Sequence, residues 1–232
     1  EVFGFVVYCF LSEHLPHERT FLMSLTHNQF AILDALADES GLSQRQLADR
    51  TGLGLATVNT AVKECREARL VEEGRLTALG MAALRPYAVD NAVIMAAGLS
   101  SRFAPISYER PKGLLRVRGE VLIDRQSRQV REAGVENIVV VVGYMKESFY
   151  YLEDEFGVKV VINRRFADRN NNESLWLVRE LLGNTYVCSS DDYFEENPFE
   201  RHVWDAYYAA EWSEGDNRDD AMGLAKMLKA LH

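Results

Sequence analysis

The chain has 232 residues, 47% of them hydrophobic and 26% charged, with a net charge of -9 at neutral pH. That length accommodates two domains or one large one, and the acidic balance excludes broad nucleic-acid affinity, which draws on clustered Lys and Arg. Any anion site therefore has to be local, and Cys9, Cys65 and Cys188, odd in number and in no metal-ligand spacing, read as reduced thiols of a cytoplasmic protein.

The opening run Val2-Phe-Gly-Phe-Val-Val-Tyr-Cys-Phe-Leu11 is apolar, but it is far shorter than the roughly 20 residues that span a bilayer. It also lacks a basic flank and a small-residue cleavage site, so no membrane partner is expected. Glu1 is not a start residue, and Met23 immediately precedes the first helical pattern. Residues 1–22 therefore read as an N-terminal extension outside the fold.

From Leu25 the apolar positions Phe30, Ile32, Leu33 and Leu36 follow a helical spacing that ends near Gly41. Ser43 is placed to cap a second helix over residues 44–50, which Thr51-Gly52 stops. A third helix is expected over residues 56–68, with Val58, Ala61, Val62 and Cys65 inward. Two short extended pieces around Gly74 and a closing helix over residues 77–84 complete the segment. With the words Leu42-Ser-Gln-Arg-Gln-Leu-Ala-Asp-Arg-Thr-Gly52 and Ala56-Thr-Val-Asn59, this order resembles the winged-helix domain of bacterial transcription regulators. A first domain is set at residues 23–87. The resemblance implies that the third helix enters the DNA major groove and presents Thr57, Asn59, Thr60 and Lys63 to base edges or phosphate. Seven Lys and Arg against eight Asp and Glu between residues 25 and 87 leave a charge of -1, without the basic footprint of a strong DNA binder. DNA binding and a small module for packing or homodimerisation both suit that balance.

After Pro86 the pattern alternates. Strands are expected at residues 91–95, 137–143, 158–163 and 185–189, and helices at 124–133, 146–156 and 174–182. The fold class is thus α/β over residues 88–232: a mostly parallel, doubly wound (Rossmann-like) sheet with helices on both faces. Ligands of such sheets bind at the carboxyl ends of the strands. Three polar loops leave from those ends, at residues 98–112, at 164–172 and at Asp191-Asp192.

The first loop suits a polyphosphate. Ala97, Gly98, Ser100 and Ser101 are small enough to let backbone N–H groups approach an anion, and Arg102 and Lys112 add charge. Between residues 102 and 118, Arg102, Arg110, Lys112, Arg116 and Arg118 stand against Glu109 alone. The segment Ala96-Ala-Gly-Leu-Ser-Ser-Arg-Phe-Ala-Pro105 with Pro111-Lys112 resembles the signature loop of nucleotidyltransferases that make activated sugars and alcohols. Val142-Gly-Tyr144, Asn170-Asn171 with Ser174-Leu175, and Asp191 followed by Tyr193 narrow the resemblance to bacterial choline-phosphate cytidylyltransferases, over about residues 91–212.

That resemblance implies transfer of a cytidylyl group from CTP to phosphocholine, giving CDP-choline and pyrophosphate. Ala97, Gly98, Leu99, Ser100 and Ser101 would wrap the phosphates. Arg102 would bind the β- and γ-phosphates, and Lys112 would face the α-phosphate. Asn170, Asn171 and Ser174 would contact base or ribose; as plain residues they also suit helix capping. Asp191 would hold Mg²⁺, with Asp192 the weaker candidate. Tyr193, Tyr207, Tyr208 and Trp212 would offer faces to a quaternary ammonium, although such aromatics are more often core. Ser100 departs from the pattern, standing where many relatives have glycine. The family's further metal carboxylate comes from strands well beyond the first aspartate, yet 41 residues follow Asp191 and residues 216–232 have no strand pattern. The expectation is a member truncated at its C-terminal side. Two alternatives stay open: a sugar phosphate as acceptor, and a transcription regulator whose nucleotidyltransferase-like half only senses a nucleotide.

Overall fold

The computed structural model describes residues 6–9, 24–99, 105–167 and 171–209. These residues divide into two compact units. One is helical and takes residues 24–88 and 202–205; the other is built on a sheet and takes the rest. The first described residues form strand β1 (Val6–Cys9) of the sheet unit.

The helical unit is defined by its caps. Helix α1 (His27–Asp38) begins at Thr26, whose hydroxyl accepts from the Gln29 backbone while the Gln29 side chain accepts from Thr26 N. Helix α2 (Gln44–Thr51) repeats this device with Ser43 and Gln46 and ends at Gly52, where φ is 69°. Such reciprocal caps satisfy N–H groups that a helix leaves open at its start. Helix α3 (Leu55–Glu67), the hairpin of β2 (Val71–Glu72) and β3 (Arg75–Leu76), and α4 (Ala78–Leu84) follow. Ile32, Leu33, Leu36, Val58, Val62, Cys65, Leu70 and Leu84 form a shared core. Burial pushes the Cys65 thiol up to about 11, so it is an inert apolar side chain.

Residues 202–205 were expected inside the second domain and instead finish this core. Trp204 stacks on Tyr87 with centroids 5.2 Å apart and lies 5.4 Å from Phe30. His202 Nδ1 is 2.8 Å from Asp34 Oδ1 on α1. The reason is the exposed aromatic face that Phe30 and Tyr87 would otherwise present to water.

The sheet unit continues with β4 (Asn91–Ala96), the hairpin of β5 (Arg116–Val117) and β6 (Glu120–Val121), α5 (Leu122–Glu132), β7 (Ile138–Val142), α6 (Tyr151–Phe156), β8 (Lys159–Ile162), α7 (Asn171–Leu177), β9 (Thr185–Ser189) and β10 (Tyr208–Ala209). The six-stranded sheet runs β10-β1-β9-β4-β7-β8. Strands β9, β4, β7 and β8 are parallel, whereas β1 is antiparallel to both β9 and β10. The four parallel strands are the expected ones, within a residue or two at each end. Right-handed crossovers from β4 to β7 and from β7 to β8 step one way and place α5 and α6 on one face; the step back to β9 puts α7 on the other. Val93, Val139, Val141 and Val187 accordingly pack against Leu175 and Val178 of the α7 region. Ala92, Ile94, Val140, Tyr186 and Cys188 alternate with them and are buried on the opposite face.

Two expectations need correcting. Residues 6–9 were read as lying outside the fold, but β1 pairs with four of the five residues of β9, from Val6 opposite Cys188 to Cys9 opposite Thr185. A buried strand such as β9 needs partners for its backbone groups on both edges, and the apolar run supplies them. The helix expected at residues 174–182 begins earlier, at Asn171, and gives way to a 3₁₀ turn at Arg179–Leu181. Among the described residues, no helix is long and apolar enough to cross a membrane.

Candidate active site

The direction of strand addition reverses between β4 and β9, and in open sheets of this kind the ligand crevice lies at such a point, between the loops that follow the two strands at their carboxyl ends. Met95 and Ser189 are paired at that end, and Ser190 N donates to Met95 O at 3.1 Å. Ala97 is buried just beyond β4, with Gly98 and Leu99 exposed after it. The Ala97 carbonyl accepts from Tyr144 N at 3.4 Å. A Cβ on Gly143 would lie 2.5 Å from the Phe166 Cβ and 2.8 Å from the Ala97 carbonyl oxygen. Only glycine permits the loops after β4, β7 and β8 to meet there. Ser100, Ser101, Arg102, Asn170 and Trp212 lie outside the described residues.

Lys112 opens a 3₁₀ turn, Lys112–Leu114. Behind it, a Cβ on Gly113 would sit 2.8 Å from the Ser190 Cβ, so the turn seats against the β9 loop because residue 113 has no side chain. That contact brings Lys112 Nζ to 3.0 Å from Asp191 Oδ2, with the two side chains 20% and 34% exposed. The other oxygen of Asp191 accepts from the Ser189 hydroxyl at 2.5 Å. The structure therefore joins two residues singled out independently in the sequence, 79 positions apart. Asp192 points elsewhere: it is 2% exposed and its Oδ2 accepts from Ser189 N at 3.2 Å, closing the turn.

The donor set suits a hard cation of modest demand. Among the described residues no group of three His, Cys, Asp or Glu could enclose a metal. Mg²⁺ does not require one, since it keeps several waters and is commonly held by one or two carboxylates together with substrate phosphates. Asp191, partly exposed beside Lys112, offers that kind of single anchor.

The other expected site residues are distributed unevenly. Ser174 is 2% exposed and its hydroxyl accepts from Asn163 Nδ2 at 3.1 Å. Since Asn163 Oδ1 accepts from Arg165 N at 2.8 Å, Ser174 ties together the two ends of the loop at residues 164–172. Asn171 is the first residue of α7. The Tyr193 ring carries the guanidinium of Arg125 at 5.0 Å and that of Arg118 at 5.7 Å, so cations of the chain itself already occupy it. Tyr207 is edge-on to Tyr186 at 6.5 Å, and Tyr208 belongs to β10.

Two cations of the basic patch expected between residues 102 and 118 meet carboxylates from a distant part of the chain. Lys112 pairs with Asp191, Arg118 with Glu195, and Arg116 donates to the Gly119 carbonyl. In the helical unit, α3 exposes Asn59, Thr60 and Lys63, while Thr57 is half-buried. Lys63 lies 3.8 Å from Glu67 on the same helix, and Thr60 donates to Ala56 O at 3.1 Å.

Sequence reasoning missed Gly113, Ser189 and the polar face of α5. Gly113 had a signal, a glycine straight after the Pro-Lys pair. The others had none, because their partners are distant in sequence.

Two segments of the chain are similar to known proteins. Residues 92–187 match the family model of the MobA-like NTP transferase domain, and residues 25–72 match that of the winged helix-turn-helix DNA-binding domain. A choline-phosphate cytidylyltransferase of Streptococcus pneumoniae is 40% identical over 123 residues, which cover 53% of this chain and 54% of that protein. A 2-aminoethylphosphonate cytidylyltransferase of Lancefieldella rimae is 41% identical over 104 residues, covering 44% and 42% respectively. A solved structure of the CTP:phosphocholine cytidylyltransferase from Streptococcus pneumoniae aligns at 42% identity and a TM-score of 0.47, covering 48% of this chain and 49% of that one. The chain spans about half the length of the curated relatives it matches. Over the matched residues it is similar to choline-phosphate cytidylyltransferases, and the segment that matches the winged helix-turn-helix model precedes the segment that matches the NTP transferase model.

Proposed function

We propose that the sheet unit is a cytidylyltransferase of the cytoplasm that moves a cytidylyl group from CTP to phosphocholine, releasing pyrophosphate. The single observation that carries this reading is the Lys112–Asp191 pair at 3.0 Å, set where the strand order reverses. An acceptor phosphate oxygen attacks the α-phosphorus; the new P–O bond forms as the bond to the β-phosphate oxygen breaks, and pyrophosphate leaves in line. An ionised phosphate is already a nucleophile, so catalysis is alignment and neutralisation of charge. Lys112, half-buried, is poised to neutralise charge growing on the α-phosphate. While the crevice is free of nucleotide, Asp191 holds that ammonium in place. A triphosphate, carrying more charge than one carboxylate, draws Lys112 away and leaves Asp191 oxygens for Mg²⁺. Asp191 would hold Mg²⁺ there, which would supply neutralisation of phosphate charge. Gly98 and Leu99, with Ser100, Ser101 and Arg102, would cradle the departing phosphates, and Asn170 and Asn171 would contact base or ribose.

The test is pyrophosphate release from CTP and phosphocholine with Mg²⁺, repeated with 2-aminoethylphosphonate and with a sugar phosphate as acceptors. Lys112→Ala is expected to lower turnover by about 100- to 1,000-fold, the loss typical of one transition-state donor. Release with none of the acceptors would remove the proposal, and preference for another acceptor would move it to that substrate.

A second reading concerns the helical unit. Asn59, Thr60 and Lys63 stand exposed along one side of α3, as a groove-reading helix needs. We propose sequence-selective DNA binding of modest strength, since a charge of -1 over residues 25–87 gives little phosphate attraction. Gel shift against upstream DNA, with Asn59→Ala as the control, decides this independently of the chemistry.

A further inference from the structure

Residues 190–197 belong to no helix or strand, yet they carry Asp191 and must hold it within reach of Lys112. What fixes them is the polar face of α5. Gln126 Nε2 donates to Ser189 O at 3.1 Å. Arg125 Nε donates to Phe194 O at 2.8 Å and its Nη2 to Glu195 O at 2.7 Å. Gln129 Nε2 reaches Phe194 O at 3.1 Å, and Asn197 Nδ2 returns to Gln129 O at 2.8 Å. Side chains of one helix thus do for this segment what a neighbouring strand does for β9. The same helix packs on the turn that bears Lys112, so α5 touches both halves of the charged pair.

Arg125 is the centre of this arrangement. Its remaining nitrogen donates to Glu120 Oε2 at 2.5 Å, and the other Glu120 oxygen accepts from Arg128 at 2.5 Å. The hydrogen bond from Arg125, aided by the charges of Arg125 and Arg128, holds the Glu120 carboxyl below its usual range. The guanidinium lies over the Tyr193 ring at 5.0 Å, two residues beyond Asp191. A planar fork with several fixed donors can grip two successive carbonyls and a carboxylate at once; a lysine, with one compact ammonium, cannot.

We propose that Arg125 is a positioning residue: through the carbonyls of Phe194 and Glu195 and the face of Tyr193 it sets where Asp191 stands relative to Lys112, and so how well the site engages a metal-bound nucleotide. The proposal rests on the reading of the site given above. It differs from a merely structural role in what it affects. Among the described residues, the hydrophobic cluster around Val93, Val139 and Leu175 contains none of these side chains, so loosening the clamp leaves that cluster intact while displacing the carboxylate that pairs with Lys112.

The experiment uses the full chain and its Arg125→Lys variant, with CTP titrated calorimetrically in the presence and absence of Mg²⁺. Affinity without Mg²⁺ should stay within about 2-fold, while the gain in affinity that Mg²⁺ brings should shrink by about 10-fold or more, as is usual when a group supporting a metal ligand is lost. Glu120→Gln, which keeps the fork but loosens its anchor, should fall between. Amide hydrogen exchange of the unliganded proteins reads the same displacement without any nucleotide: exchange at residues 190–195 should rise in Arg125→Lys while β4 and β7 stay protected. Unchanged exchange at residues 190–195 would overturn the proposal. So would an equal fall in affinity with and without Mg²⁺ accompanied by lost protection in β4, since that describes a brace of the fold. If the parent chain binds no CTP and releases no pyrophosphate, the proposed function fails by itself, while the exchange data still judge the clamp.

Discussion

The helical unit and the sheet unit are held by interactions of very different reach. In the helical unit the starts of α1 and α2 are closed by side chains three residues apart, Thr26 with Gln29 and Ser43 with Gln46. In the sheet unit the contacts that build the crevice span 63 residues from Gln126 to Ser189, 69 from Arg125 to Phe194 and 79 from Lys112 to Asp191. One unit can be written down locally and fold early; the other exists as a site only once its sheet has closed, because long-range contacts must first overcome loop-closure entropy. The difference teaches where damage should spread. Local changes should stay local in the helical unit, and small shifts in the sheet unit should register at the crevice.

Trp204 is the exception that can break this contrast, because the helical core depends on a residue far along the chain. Truncating it removes the partner of both Tyr87 and Phe30. Trp204→Ala should destabilise the helical unit by about 3 kcal/mol, at the lower end for a large aromatic since the side chain is only half-buried. Hydrogen exchange at α1 and α3 amides measures it. Protection unchanged in α1 would mean that the helical unit stands without the returning segment.

The sheet unit responds more sharply to a smaller change. Gly113→Ala puts a methyl group 2.8 Å from the Ser190 Cβ, so the turn bearing Lys112 must move away from the Asp191 loop. A displacement on the order of 1 Å at a reacting centre costs about 100-fold in turnover. Pyrophosphate release should fall by that order while thermal unfolding of the helical unit does not move. Full activity in Gly113→Ala would show that the Lys112–Asp191 separation does not limit the reaction.

These two positions also show what the sequence could and could not disclose. The four parallel strands were legible because each is a short apolar run bounded by turn residues, as in Asn137-Ile-Val-Val-Val-Val-Gly143. Lys112 and Asp191 were legible as residue types at the carboxyl ends of strands, and the sheet then brings them together. The clamp of Arg125, Gln126 and Gln129 was not legible, since its acceptors are backbone carbonyls and carry no side-chain signature. The charge tally misled for a related reason: Arg118 looked unopposed along the chain, but Glu195 comes to it across the fold. Trp204 and Val6–Cys9 were misassigned because each joins its unit through tertiary pairing from outside the continuous stretch of pattern that defined it.

The β1 strand sharpens the comparison from the other side. A chain beginning at Met23 loses a strand that pairs β9 on one side and β10 on the other. It should retain the helical unit and lose about 2 kcal/mol in the sheet unit, a few net hydrogen bonds at about 0.5–1.5 kcal/mol each. Chemical denaturation followed separately by exchange in β9 and in α1 distinguishes the two units. Equal loss in both would mean that they unfold as one body and that the contrast of reach has no energetic counterpart.

The smallest effect belongs to the purest local device. Ser43 satisfies Gln46 N with its hydroxyl and is satisfied in return by the Gln46 side chain, all within one turn of α2. Both residues are exposed, so removing the hydroxyl creates no cavity and water takes over the freed N–H. Ser43→Ala should therefore cost about 1 kcal/mol, the usual value of an N-cap side chain, appearing as faster exchange at the first amides of α2. Among the described residues the hydrogen bonds of this cap run between Ser43 and Gln46, and mutations at sites with no shared partners normally add independently. CTP affinity and pyrophosphate release should therefore be unchanged. A fall in either on losing a hydroxyl from α2 would mean that the two units communicate, and that the winged helix-turn-helix domain is part of the enzyme's regulation as well as its neighbour.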